Sequence, residues 1–415
     1  MKRIGWMVTL TVGACVAQGG DWTQWRGSNR DLIVTETGLL KAWPEGGPKQ
    51  LWQIDLPGEG YSEPIVADGI LYITGNEGDK KDRTGFLYAM DAKTAKDEAK
   101  RWKITYGPEW SGGDGQYPLA RTTPTLVGDV LYVTSGLGSL SCISVKEKKV
   151  VWQVDTFKAY GGRNITWGIA ENPLVYDGKI ITQPGGADAS VVALDAKTGA
   201  LVWKSQGLSE KSAYCSPALV TLNGKRQVVT QLENNAVGLD AETGALLWKH
   251  PHRNQHAVHP NTPLLFDGNK VFISSGYKLG SEMLEIAPGG EVKVVWKDKT
   301  DNHFQGFTLH EGRVFSSGAG KMGCFDPKDG REVYTVEGAR KTSFCITPSG
   351  MITYDENGGK VMLVDITSNP DAAKVISSFT IGYGNDPHWS SPVVANGVMY
   401  LRRGKGLAAF DIAEK

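Results

Sequence analysis

Two stretches of this chain gather aromatic, cationic and acidic side chains as a binding mouth would. Residues 105–123 carry Trp110, Tyr117 and Arg121 in a glycine-rich frame, and residues 155–172 carry Arg163, Trp167 and Glu171. Flat rings stack on planar or sugar-like ligands, and guanidinium groups hold carboxylates or carbonyls. A third stretch holds His250, His252, His256 and His259 within ten residues, followed by Asn261. Neutral imidazole is a common metal ligand, and His303 lies in a later segment of the same kind. The histidine stretch is rich in Pro and Asn, and no spacing in it sets two imidazoles on one helix face. It therefore reads as a polar, hydrogen-bonded loop; no metal is expected, and His252, His256 and His259 are the only weak candidates. Trp389 completes the aromatic set near the C-terminus.

Other chemistries lack their residues. There is no G-x-S-x-G, no H-E-x-x-H and no phosphate-cradling G-x-x-x-x-G-K-[ST]. Cys142, Cys215, Cys324 and Cys345 show no C-x-x-C or adjacent spacing, which argues against zinc and dithiol chemistry and for buried thiols. The 45 basic and 45 acidic residues cancel, so no global field favours nucleic acid.

Residues 1–17 read as an export signal: Lys2 and Arg3, then an apolar stretch, then small residues ending at Ala17. Val12-Gly13-Ala14-Cys15 offers a second reading, a lipoprotein signal with Cys15 as the lipidated residue. No other apolar run approaches membrane-spanning length. The expectation is an exported, monomeric protein, periplasmic or extracellular, touching a membrane only through Cys15 if at all.

The elements that must position these residues come from a repeat. Eight glycine turns lie between alternating apolar runs: Asp68-Gly69, Gly128-Asp129, Asp177-Gly178, Asn223-Gly224, Asp267-Gly268, Glu311-Gly312, Ser349-Gly350 and Asn396-Gly397. Such dipeptides between alternating hydrophobics mark two-residue hairpins, which need left-handed backbone at the turn. A second frame interleaves with them. In Ala193-Leu-Asp195-Ala-Lys-Thr198-Gly199-Ala-Leu-Val-Trp203 and Gly238-Leu-Asp240-Ala-Glu-Thr243-Gly244-Ala-Leu-Leu-Trp248, Asp and Thr cap a turn. The Trp then rides the following strand. Trp52, Trp102, Trp152, Trp203, Trp248, Trp296, Tyr334 and Ile376 hold this place along the chain.

Each unit needs four strands, yet the last stops after Ala409-Phe-Asp411 with three, while Gln50-Leu-Trp52-Gln-Ile54 stands alone near the N-terminus. Joining the two closes a ring and removes two sheet edges. The expected fold is all-β: an eight-bladed β-propeller of four-stranded antiparallel blades over residues 50–415, closed by an N-terminal strand. Residues 18–49 are expected to pack on it as an extension.

The Ala-x-Asp-x-x-Thr-Gly-x-x-x-Trp frame resembles the tryptophan-docking repeat of the pyrroloquinoline quinone (PQQ)-like propeller superfamily. Asp21-Trp-Thr-Gln-Trp25-Arg-Gly27 and Asn164-Ile-Thr-Trp167-Gly-Ile-Ala-Glu171-Asn172 resemble its small secreted single-propeller members. The resemblance implies one of two activities: quinoprotein alcohol dehydrogenase, or the non-enzymatic lipoprotein scaffold of the outer-membrane β-barrel assembly machinery. The first implies an adjacent-cysteine disulfide over PQQ, Glu and Asn ligands to calcium, and an Asp base. No adjacent cysteines occur here, and Glu171 and Asn172, as neighbours entering a strand, should point to opposite sides. The leading expectation is a non-catalytic binding or scaffold module for a protein or extracellular polymer, with no cofactor. The alternative is a PQQ-dependent or other small-molecule oxidoreductase. Trp110, Tyr117, Arg121, Arg163, Trp167, Glu171, His303 and Trp389 are the candidate residues of the channel mouth in either case.

Overall fold

The computed structural model describes residues 20–415 except 80, 81, 113–116, 118, 305, 319 and 386; residues 1–17, expected as an export signal, and Cys15 within them lie outside the described residues. Eight four-stranded antiparallel sheets form a closed ring, an eight-bladed β-propeller. Seven blades are continuous in sequence, at 65–108, 125–155, 174–204, 218–251, 264–298, 307–336 and 342–380. The eighth combines Val393–Ala395, Val398–Arg403 and Gly406–Asp411 with Lys49–Asp55. Trp52 pairs with Ala409 across that seam. The first strand of each blade lines the central channel, and the fourth faces outward.

The turn chemistry explains the hairpins, with three departures. Asp68 and Gly69 are both left-handed (φ 50° and 72°), as are the pairs at 177–178, 223–224, 311–312 and 396–397. Asp267 and Gly268 are left-handed too, but Asn269 makes that loop three residues long. In Gly128-Asp129 only the glycine is left-handed. The dipeptide Ser349-Gly350 is not the turn at all. Thr347 pairs with Gly350, so Pro348-Ser349 makes the connection, because the ring of Pro348 presets φ for the first central position.

Between blades the tryptophans lock neighbours together. Trp203 Nε1 donates to the Ala241 carbonyl of the next blade at 3.2 Å, and Trp152 Nε1 to Ala196 at 3.1 Å. Trp52 carries the same bond over the seam to Ala92, at 3.1 Å. The indole lies on the glycine that ends the Asp-Thr turn: a Cβ on Gly244 would sit 2.5 Å from Trp203. Asp240 Oδ1 shapes that turn by accepting from the Glu242 and Thr243 amides, each at 2.9 Å. Trp248 departs from this pattern and donates within its own blade to Gln227 at 2.9 Å. The following blade has a different turn, closed by the Gly290 amide on the Ala287 carbonyl at 2.9 Å.

Residues 22–40 run inside the ring as an arm. Trp22 and Val66 exchange two backbone hydrogen bonds of 2.8 Å, and Leu126 donates to the Thr23 carbonyl at 2.9 Å. Arg30 reaches the carbonyls of Pro173 at 3.2 Å and Pro217 at 3.5 Å. Leu32 and Val34 bracket Ile346 with bonds of 2.8 Å, and Leu40 donates to Ile412 at 2.8 Å. Its partners lie on the inner strands of the first, second and seventh blades, just before those of the third and fourth, and just past the third strand of the eighth, which places the arm in the channel.

Candidate functional site

Above the arm, all eight connections that enter the inner strands surround one cavity of about 320 Å³. Six of them share a sequence feature. A proline opens the inner strand at Pro64, Pro124, Pro173, Pro217, Pro263 and Pro392, and it forces the residues before it into extended backbone. Extended residues alternate sides. The third residue before each proline lines the cavity: Tyr61, Arg121, Ala170, Tyr214, Pro260 and Trp389. The residue between the two cavity-facing positions turns back into the ring. Ser62 donates toward the Thr74 carbonyl and Thr122 to that of Thr134. Asn261 donates to the Asn302 carbonyl at 2.9 Å.

This alternation sorts the expected residues. Tyr117, Arg121, Trp167, His303 and Trp389 meet at the cavity. Trp389 is its central ring, with centroids of Tyr61, Tyr117 and Phe304 at 4.6, 4.7 and 5.1 Å. Trp167 stands 6.1 Å from Tyr214, whose hydroxyl accepts the Trp167 amide at 2.8 Å. His303 lies 4.6 Å from Tyr277. Trp110 does not line the cavity; it is wedged against Gly136 and Gly168, where a Cβ would come within 2.9 and 2.4 Å of it. Arg163 is exposed away from the cavity.

Glu171 is buried behind the wall. Its carboxylate accepts the Gln183 amide at 2.8 Å, Gln183 Nε2 at 3.0 Å and Ser212 Oγ at 2.7 Å. Burial outweighs these bonds and pushes its pKa up to about 8. Asn172 faces the cavity but gives Oδ1 to the Thr123 amide at 2.6 Å. A calcium-held quinone needs free, ionised oxygen donors converging on one point. The Glu171–Asn172 pair does not fit that need.

The histidines separate likewise. His252 and His259 are buried with rings 5.4 Å apart, and burial lowers both pKa values, that of His259 to about 3. His259 Nδ1 meets Ser275 Oγ at 2.6 Å, while His256 packs on Tyr277 at 4.6 Å. Among the described residues no group of three His, Cys, Asp or Glu side chains is placed to hold a metal ion.

Several cavity residues escaped sequence reasoning: Trp25, Arg26 and Leu32 from the arm, and Tyr61, Tyr214 and Tyr277 from the ring. The proline spacing would have found Tyr61 and Tyr214. Arg26, Leu32, Tyr117, Tyr214, Tyr277 and Lys341, all at the cavity, share a further property, left-handed backbone with φ between 44° and 71°. That conformation costs a residue with a Cβ roughly 1–2 kcal/mol, and such strain gathers where side chains must be aimed. Arg26 is 2% exposed, and burial lowers its guanidinium to about 10, so it stays cationic at neutral pH. Arg121 is lowered by burial as well, and its Cζ sits 5.7 Å from the Tyr61 ring. Glu63, at the floor, accepts the Arg26 amide at 3.0 Å and is raised by burial. The cavity can thus stack a ring and hold negative charge.

Comparison with known proteins follows the same lines. The model of the family described as outer membrane protein assembly factor BamB matches residues 87–336. The dehydrogenase subunit of the quinone alcohol dehydrogenase of Gluconobacter oxydans is 27% identical over 197 residues, covering 45% of this chain and 24% of that protein. BamB of Yersinia pestis is 24% identical over 158 residues, covering 37% of this chain and 36% of that protein. The match spans about a quarter of the length of such dehydrogenases. Among solved structures, quinohemoprotein alcohol dehydrogenase from Comamonas testosteroni superposes with a TM-score of 0.69 at 14% identity, over 95% of this chain and 81% of that one. BamB from Moraxella catarrhalis gives 0.59 at 14%, over 88% and 99%. At such identities these structures share the fold. Repeat, ring and family match agree: the chain belongs to the PQQ-like propeller family described as outer membrane protein assembly factor BamB.

Proposed function

We propose that this protein is an exported, non-catalytic binding propeller that grips part of a protein or extracellular polymer in its aromatic mouth. The carrying observation is the set of six cavity residues in left-handed backbone around Trp389. A scaffold without a ligand gains nothing from that strain. In support, Glu171, the carboxylate nearest to a ligand set, is spent on the framework. Residues 1–17 would serve export and be removed, leaving 18–49 to seat in the ring built from residues 50–415. No helix among the described residues is long and apolar enough to cross a membrane. In the alternative processing, cleavage before Cys15 would leave that residue to carry a lipid.

Capture from envelope extracts tests this reading, with Trp167→Ala and Trp389→Ala as paired baits. The expected result is a partner held by the unaltered protein and lost from both variants. Recovery of nothing above background would count against it. A second reading, a quinone-dependent oxidoreductase, draws on the same flat walls and cations, which would suit a planar cofactor. Titration with PQQ and calcium separates the two. Saturable quenching of Trp fluorescence together with alcohol-dependent dye reduction would replace the binding-module reading.

A further inference from the structure

The arm is a hairpin inserted from the end of the ring opposite the mouth. Trp22 and Thr23 bond to Val66 and Leu126, just before the turns of their blades. Leu40 leaves beside Ile412, which donates to the carbonyl of Gly397 in the turn of the eighth blade. Trp25, Arg26 and Leu32, at the apex, close the inner end of the cavity. The mouth is therefore a blind pocket. Its volume of about 320 Å³ is at the small end of ligand sites, which span roughly 300–1,000 Å³. No chain can thread it; a chain end can enter.

The walls are inclined facets. Trp389 meets Tyr61, Tyr117 and Phe304 at interplanar angles of 47°, 48° and 64°. Trp167 meets Tyr214 at 52°, and Tyr277 meets His303 at 40°. A flat polycycle lies along one of two neighbouring facets but not along both. A pyranose projects C–H bonds from both faces at several angles, so one sugar presses on two facets at once. At the rim Tyr117 is 41% exposed and Phe304 37%, apolar area left bare for contact. Trp389 is fixed for stacking by its Nε1, which donates to Glu356 Oε1 at 3.0 Å.

Unspent donors stand around this bowl. The indole N–H groups of Trp25 and Trp167 and the ammonium of Lys341 have no hydrogen-bond partner among the described residues. They come from the arm, the entry to the third blade and the entry to the seventh. An extended peptide offers its carbonyls in two opposed rows. A sugar ring offers oxygens around its whole edge, which suits donors set around a circle.

We infer that the mouth receives the end of a glycan chain, its terminal sugar stacked between the facets of Trp389 and Trp167. The inference rests on the mouth being a binding site and names the ligand class for it.

The experiment is calorimetric titration of the full chain with maltohexaose, cellohexaose, xylohexaose and chitohexaose. The expected result is saturable binding of at least one, weakened about tenfold or more by Trp389→Ala and by Trp167→Ala. Trp167 is exposed in a loop, so its variant keeps the test open should Trp389→Ala not fold. The matching trisaccharide should bind within about threefold of the hexasaccharide, because only the end enters. Affinity that climbs with each added sugar would show recognition along the chain and overturn the end assignment. Binding that survives both substitutions places the sugar outside the mouth and overturns it as well. Failure of all four sugars to bind also overturns it, and the capture experiment above then decides separately whether the mouth holds a protein.

Discussion

Arg402 and Ser62, 340 positions apart, meet at the seam of the ring, where Arg402 Nη1 donates to Ser62 Oγ at 2.6 Å and to the Ser62 carbonyl at 3.2 Å. The same nitrogen reaches the Thr74 carbonyl at 2.8 Å, and Nε donates to Gly404 at 3.0 Å. A buried cation thus clamps the last blade onto the first, beside the strand Lys49–Asp55 that completes it. Arg402→Met should cost at least about 1.5–3 kcal/mol, the worth of a hydrogen bond to a charged group. Deleting residues 49–55 should cost more, because it exposes the edge of Gly406–Asp411. Urea denaturation of both variants checks this; an unchanged melt for the deletion would refute closure by that strand.

Trp203→Ala should destabilise by on the order of 3–5 kcal/mol, through the cavity left beneath Gly244 and the Ala241 carbonyl stripped of its donor. Trp203→Phe should recover much of the packing but not the hydrogen bond. The difference between the two, read from denaturant midpoints, isolates the indole N–H.

Stability should fall as pH rises toward 8. Burial raises Glu109 to about 7 and Glu171 to about 8, above the ordinary carboxylate value near 4.5. The folded chain therefore binds more protons than the unfolded chain between those limits, and stability declines with pH there. The contribution is fully present below about pH 4.5 and is lost as pH passes 7 to 8. Melting temperatures from pH 5 to 9 test it, with Glu171→Gln expected to flatten the slope. A rising profile would show that the buried carboxyls are ionised.

Trp389→Ala should leave the melting temperature nearly unchanged and reduce partner binding about tenfold, near 1.4 kcal/mol. The ring touches Tyr61, Tyr117 and Phe304 at the mouth and lies outside every blade. A large drop in melting temperature with intact binding would make Trp389 a packing residue.

The ring was legible because it repeats. Asp195, Gly199 and Trp203 recur as Asp240, Gly244 and Trp248, and the unpaired strand at Trp52 betrays the seam. The site was half legible. Tyr117, Arg121, Trp167, His303 and Trp389 stood out by type, but type does not say which way a side chain faces. Glu171 looked chemical and faces the framework; Arg163 looked chemical and faces solvent. Arg26 and Trp25 carry no period, and their place in the channel depends on bonds to Val66, Leu126 and Ile346, far away in sequence. The turn at Pro348 was misread because Ser349-Gly350 mimics a hairpin pair, and only the register shows otherwise.

The alternation before each inner-strand proline divides labour between adjacent residues. Ser62, Thr122, Glu171 and Asn261 hold the ring, while their neighbours Tyr61, Arg121, Ala170 and Pro260 face whatever enters it. Recognition can therefore be rewritten one position at a time, around a circle, with the neighbouring anchor untouched. Such a chain can change its guest many times over and still be built the same way.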